Sequence, residues 1–339
     1  MKASKSKGVS IEMIAAECGL SAMTVSRALR QQVSVAEKTR EKVYDAAARL
    51  GYLRLSRAGR KQNEPEAQHR RLIQLIVSTQ QGSMARFHSE VIALLVQDLA
   101  MHGFECIIRT TDCNYTNFLR LIETAKNADV ERTVIIGSFS DAERRALLVA
   151  LPNSLLLDDS GRDVLEAAYS SFAFDNTCAA ALAVQHLLKN DRQRIALITG
   201  PAEHYFSREI EFGYRDTLET AGFEPDDQLI LYTDFTAEGA QAAVNTLLNR
   251  QIPFDAIFTN DEMAAGVYRA LYEHNLRIPD QISVCGCDGL PLGEQLYPRL
   301  TTVMLDYRQL AKQAVECILN SNVNPMKIRL IPSLLVRES

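Results

Sequence analysis

The sequence predicts an α/β protein, with a helical N-terminal domain followed by a large body of parallel sheets in two lobes. Three observations predict it. Apolar residues recur at three- and four-residue intervals through the first fifty residues, the mark of helices with one buried face. From residue 72 to residue 339, short apolar runs alternate with amphipathic helical stretches, the pattern of parallel sheets. The chain is 339 residues long, more than one domain needs, and no single stretch dominates the body.

The head is the first element. Ile11, Ile14, Ala15 and Cys18 line one helix face, Gly19 ends that helix, and Leu20 tucks into the turn. Ser21 is an N-cap for a second helix that buries Val25 and Leu29 and turns Ala22, Met23, Ser26 and Arg27 outward. The run Ser34-Val-Ala-Glu37 matches a capping box opening a third helix, with Val43, Ala46, Ala47 and Leu50 inside and Gly51 as its C-terminal cap. Three short helices with a tight Gly-Leu-Ser turn after the first make a helix-turn-helix, whose second helix enters the major groove of DNA.

Charge supports that use. Met1 to Lys61 carries thirteen Lys/Arg against five Asp/Glu, while the rest carries 24 against 37. A basic head on an acidic body implies a polyanionic partner for the head. Small residues let the second helix approach the duplex. Thr24 and Ser26 can bond phosphates, Arg27 can fork onto a guanine edge, and Ala22 and Met23 can meet thymine methyls. The DNA-facing candidates are Ser10, Ser21, Ala22, Met23, Thr24, Ser26, Arg27, Arg30 and, in the connector, Arg57. One such head spans only a half-site, so a homodimer on near-palindromic double-stranded DNA is expected.

Residues 52–71 are polar and charged, contain Pro65, and form a connector. Two readings stand for it: a basic segment holding phosphates, or a solvated tether. Domains are therefore expected at 1–51 (DNA binding), 52–71 (hinge or linker) and 72–339 (effector binding and dimerisation).

In the body, strands are predicted at Leu72–Ser78, Phe104–Arg109, Thr133–Ser138, Ser154–Asp158, Arg194–Gly200, Leu229–Thr233, Asp255–Asn260 and Ile282–Asp288, and a helix at Glu90–Met101. Ligands of such sheets sit at the carboxyl ends of strands. The polar and aromatic residues there include Arg86, Phe87, His88, Glu90, Asp158, Tyr205, Phe206, Ser207, Arg208, Asp234, Phe235, Asn260, Asp261, Cys287 and Asp288. Carboxylates and amides suit ligand hydroxyls, and aromatic rings suit an apolar face. Equally, strand-end Asp and Asn can simply cap the helices that follow.

Val9 to Tyr52, with "TVSRAL", "VSVAEKTREKV" and "AARLGY", resembles the DNA-binding head of the lactose/galactose repressor family. The resemblance continues through "FDN" at Phe174, "GYRDTLETAGF", "DAIFTNDEMAAGVYRAL", "RIPDQISVCGCDGLPLG" and "LTTV", and covers nearly the whole chain. It implies a periplasmic-binding-protein-like, two-lobed effector domain. It also implies a transcriptional regulator, a repressor by family habit, controlled by a sugar or sugar acid. It places Ala22, Met23 and Arg27 at base-reading positions, and Phe235, Asn260 and Asp288 at effector contacts. Arg86, Phe87, Asp158, Phe206 and Arg208 complete the expected effector set. "MTVSR" with "RQQVSV" is similar to gluconate-type repressors. The chain also departs from the family: Ile210 stands where an effector arginine is expected and Leu305 where a glutamine is. In the hinge, Gly59 and Lys61 stand where the family has a helix residue and an intercalating leucine.

Other chemistry finds no motif. G-x-G-x-x-G after a strand, a P-loop and a nucleophile elbow are absent from the sequence, so no cofactor, no catalytic residue and no enzyme activity are expected. Cys285 and Cys287 share a strand face without a second Cys/His pair, so core cysteines are expected rather than a metal site. Seven scattered cysteines fit a reducing compartment, and no apolar run approaches a membrane span, so a cytoplasmic protein is expected. Two rival readings remain: a regulator answering a protein partner through a vestigial pocket, and an α/β solute-binding protein or enzyme with a basic head.

Overall fold

The computed structural model describes residues 10–29, 35–50, 71–79, 86–112, 114–137, 139–159, 169–320 and 324–339. The chain divides into two compact units, Met1–His69 and Arg70–Ser339. Arg30, Arg57, the capping box at Ser34, Gly51 and nearly all of the connector fall outside the described residues.

In the first unit, α1 (Ile11–Cys18), α2 (Ala22–Leu29) and α3 (Glu37–Arg49) enclose one small core. Ile14, Val25, Ala28, Val43 and Ala46 are fully buried in it, with Leu20 and Leu50 packed at its edge. Gly19 ends α1 in the left-handed conformation, φ 63°, and its N–H bonds back to the last turn. Ser10 caps α1 by accepting from the Met13 N–H. Ser21 accepts from the Thr24 N–H at 3.1 Å, the N-cap of α2 expected from sequence.

The second unit is two α/β lobes. The elements in chain order are β1 (Arg71–Ser78), α4 (Arg86–Met101), β2 (Phe104–Thr111), α5 (Tyr115–Lys126), β3 (Arg132–Ile136), α6 (Asp141–Ala150), β4 (Ser154–Leu157) and β5 (Ser170–Phe174). There follow α7 (Asn176–Lys189), β6 (Ile195–Thr199), α8 (Tyr205–Thr220), β7 (Ile230–Tyr232), α9 (Ala237–Asn249), β8 (Ala256–Phe258), α10 (Asp261–Glu273), β9 (Ser283–Asp288), α11 (Leu292–Gln295), β10 (Thr301–Met304), α12 (Tyr307–Leu319), β11 (Lys327–Leu330) and β12 (Ser333–Leu335).

One sheet has the order β11-β5-β4-β3-β1-β2 and is parallel throughout. The other has the order β12-β10-β9-β8-β6-β7, and within it only the β10–β12 pairing is antiparallel. The chain crosses between the lobes after β5, after β10 and after β11. Both sheets carry buried apolar strands, as parallel sheets covered on both faces require. Cys285 and Cys287 are buried in the second lobe's core beside Phe258 and Val303, and burial raises both thiols.

Four strands escaped the sequence reading: β5, β10, β11 and β12. The helix expected from Glu90 begins four residues earlier, so Arg86, Phe87 and His88 form its first turn instead of a loop.

Candidate functional site

In the first unit, the outward face of α2 is the candidate reading surface. Ala22, Met23 and Arg27 are exposed there, and Thr24 and Ser26 are half-buried at its border. Val25, Ala28 and Leu29 hold the opposite face on the core. The hydroxyls of Ser10 and Ser21 are both spent on capping, and Ser21 Oγ also lies 2.8 Å from Thr24 Oγ1.

In the second unit, the carboxyl ends of the strands in the two lobes face each other across a cavity of about 630 Å³. From the first lobe come Ser78 at the end of β1, Arg86, Phe87 and His88 in the first turn of α4, and Asp158 after β4. From the second come His204, Tyr205 and Phe206 at the start of α8, Asp234 to Glu238 after β7, Asn260 and Glu262 around the start of α10, and Asp288 at the end of β9. Leu290 and Leu305 are apolar patches in the same wall.

Seven of the eight expected effector residues therefore meet in one place: Arg86, Phe87, Asp158, Phe206, Phe235, Asn260 and Asp288. Arg208 is not in the lining. One turn into α8, its guanidinium lies 3.9 Å from Asp141 across the lobes. Ile210, at the expected arginine position, is buried in the second lobe's core. Of the wider strand-end set, Ser207 and Cys287 are buried away from the lining, and Glu90 is exposed outside it. Asp261 is buried and structural: it accepts from Thr302 Oγ1 at 2.6 Å and from the Leu290 N–H at 2.7 Å. Ser78, Asn176 and Glu262 line the cavity without having been singled out from sequence.

Asn260 does both of the things weighed for it. It caps α10, its Oδ1 accepting from the Met263 N–H at 2.8 Å, and it lines the cavity. Asp288 is different. It is 6% exposed, it caps no helix, and its carboxylate has no hydrogen bond or ion pair among the described residues. Burial, with Asp261, Asp158 and Glu262 nearby, raises its pKa well above the usual carboxylate range. Asp158 sits 3.5 Å from His88 Nε2, and burial raises its carboxyl too. Tyr205 donates to the Asp158 carbonyl and so ties the second lobe to the first. Arg86 Nε lies 3.1 Å from Glu262 Oε2, a second link across the cleft, although that oxygen makes no hydrogen bond.

Phe235 forms an aromatic corner. Its ring meets His204 edge-on at 4.9 Å and Phe206 at 5.9 Å. Gly200 permits this, since a Cβ there would lie 2.0 Å from the Phe235 ring. Burial lowers the His204 pKa to about 3, so the imidazole is neutral. Three cavity residues, Asp158, Phe235 and Asp288, have positive φ, at 61°, 65° and 116°. Such conformations cost non-glycine residues about 1–3 kcal/mol each and gather at ligand sites.

Residues 10–54 match the family model "Bacterial regulatory proteins, lacI family", and residues 184–339 match "Periplasmic binding protein-like domain". The chain is 28% identical to the HTH-type transcriptional regulator CelR of Thermobifida fusca, over 97% of each chain. It is 26% identical to the ribose operon repressor of Escherichia coli K12, over 96% of this chain and 98% of that one. Two solved structures each cover 98% of this chain and 99% of their own. They are a CelR–cellobiose complex (TM-score 0.72, 27% identity) and a Lac repressor dimer bound to operator and the anti-inducer ONPF (TM-score 0.70, 26% identity).

A helix-turn-helix head on a two-lobed, periplasmic-binding-protein-like body defines a class: DNA-binding transcription regulators, not enzymes. Within that class, residues 10–54 are a lacI-family DNA-binding domain, residues 184–339 are a periplasmic-binding-protein-like domain, and the whole chain is similar from end to end to lacI-family regulators.

Proposed function

We propose that the chain is a repressor that binds a near-palindromic operator as a homodimer and is controlled by a sugar held between the lobes of its body. The observation that carries the effector half is the cavity itself. Its polar and aromatic lining, drawn from the strand ends of both lobes, has the size and chemistry of a small-molecule site. A vestigial pocket serving a protein partner would not need seven such side chains converging on enclosed space.

The relatives support the same reading. One is solved with cellobiose, another is named for the ribose operon, and a third is solved as a dimer on its operator. In this reading Arg27 takes a base edge, Ala22 and Met23 make apolar groove contacts, and Thr24 and Ser26 position α2 on phosphates. Asp288 and Asn260 bond polar groups of the ligand, Phe235 stacks on its ring with Phe206 behind it, and Arg86, Phe87 and Asp158 close the opposite wall.

The test is selection of DNA by the purified full-length protein, repeated with ribose, cellobiose and other sugars present. A dyad-symmetric motif whose recovery drops with one sugar is the expected result. A motif that no sugar affects would leave the DNA half standing and remove the effector half.

A further inference from the structure

The cavity is lined by more acidic than basic side chains. Asp158, Asp234, Glu238, Glu262 and Asp288 line it, against Arg86, His88 and the neutral His204. Arg86 is already set against Glu262 and His88 against Asp158. Asp234 is bonded to the Thr236 N–H and hydroxyl at 3.2 and 2.6 Å. Among the described residues that line the cavity, Asp288 alone is nine-tenths buried and has no hydrogen-bond or ion-pair partner.

We propose that the effector is an amine-bearing sugar, whose ammonium sits against Asp288 and is flanked by Asp158 and Glu262. This rests on the effector reading above and adds the ligand's charge.

The physical argument is desolvation. A buried carboxylate is costly unless it is neutralised or paired. Here the neighbours within electrostatic reach are further carboxylates, which make ionisation harder still. A ligand ammonium supplies the missing counter-charge, with three donors for the carboxylate oxygens. A neutral hydroxyl supplies one donor and no charge. A sugar acid brings a further acidic group into the same space. The rings of Phe87, Phe206 and Phe235 in the lining add favourable faces for a cation as well as for a pyranose ring. Two positions that could have changed the balance do not: Leu305 lines the cavity but is apolar, and Ile210 lies outside the lining, buried in the core.

The experiment is calorimetric titration of the full-length protein with matched ligands: glucose, glucosamine, N-acetylglucosamine and gluconate, and the same set on galactose and ribose frames. On the frame that fits, the amine is expected to bind about ten- to a hundredfold tighter than its neutral parent, the gain from a charged hydrogen bond. N-acetylation should remove that gain and the acid should bind most weakly. Asp288→Asn should bring the amine down to its parent, and Glu262→Gln provides a second reading should the first variant not fold. An amine no tighter than its parent on every frame, or an amine preference unchanged in both variants, overturns the inference. In that outcome, a neutral sugar that binds and releases DNA leaves the sugar-controlled repressor intact. A complete absence of binding and of DNA release across the set removes both.

Discussion

At the scale of single residues, the proposed function assigns effector binding to Asp288 and base reading to Arg27, and each assignment can be tested alone. Asp288 ends β9 with φ 116°, a backbone angle that side-chain-bearing residues rarely adopt, and its carboxylate bonds nothing else described. Asp288→Ala removes no internal hydrogen bond, so folding and DNA binding should persist. A buried ligand group left unmatched costs about 1–3 kcal/mol, more if charged, so the effector response should be lost. A DNA-release assay with the effector, run beside a melting curve, checks this, and a variant that unfolds would assign Asp288 a structural role. Arg27 is exposed on α2 beside Ala22 and Met23. Arg27→Ala should weaken binding to the selected site by about 1–3 kcal/mol and relax one base position. Equal losses on specific and random DNA would reduce Arg27 to a phosphate contact.

At the scale of elements, short structures depend on single backbone and polar features. Gly19 joins α1 to the turn at φ 63°, with open space around its Cα. Gly19→Ala should therefore meet no clash and cost only left-handed strain, about 1–2 kcal/mol, seen as a lower melting temperature of the head. Asp261 opens α10 and joins it to β10 through Thr302 and to the β9 exit through Leu290. Burial pushes its pKa up to about 7, against the bonds from Thr302 and Leu290 that favour the charge. The native state therefore binds a proton there that the unfolded chain has released above about pH 4. Stability from this group is present at low pH and lost as pH rises through about 7. Asn in its place can accept from the Leu290 N–H and donate to Thr302, so Asp261→Asn should gain on the wild type as pH is raised from about 4 to about 8. Parallel melting curves across that range would sink the assignment.

The same element scale explains what could be read from sequence. The strands β1, β3, β4, β6, β8 and β9 were legible because buried parallel strands are apolar on both faces, and the half-exposed edge strands β2 and β7 because they keep short apolar runs. β10 was not, because Thr301 and Thr302 are fully buried with their hydroxyls bonded to Ser339 and Asp261, which hides a core strand behind polar letters. β11 and β12 are short and only partly buried. The cavity residues were legible through the rule that ligands meet strand ends. Arg208 failed it because α8 turns: Tyr205 and Phe206 face the cavity, while two residues on the side chain points toward Asp141. The positive φ angles of Asp158, Phe235 and Asp288 have no sequence signal, since glycine is what normally announces them.

At the scale of the whole molecule, size sets the symmetry. The helix α2 has eight residues, a length of about 12 Å at 1.5 Å per residue, and its exposed face offers only a few side chains to base edges. Such a surface reads a half-site. Most of the attraction of one head for DNA would then be electrostatic and indifferent to sequence, drawn from a segment with thirteen basic and five acidic residues up to Lys61. Pairing two heads by a two-fold axis multiplies the base contacts without adding new chemistry, and the body is the part large enough to hold the pair. Selected sites should therefore show two inverted half-sites, their centres about one helical turn, roughly 34–36 Å, or a multiple of it apart. Sedimentation of the full chain at micromolar concentration should give a dimer or a higher even assembly. A monomer in solution whose selected sites lack dyad symmetry would refute the pairing, and would require one α2 helix to supply all the specificity itself.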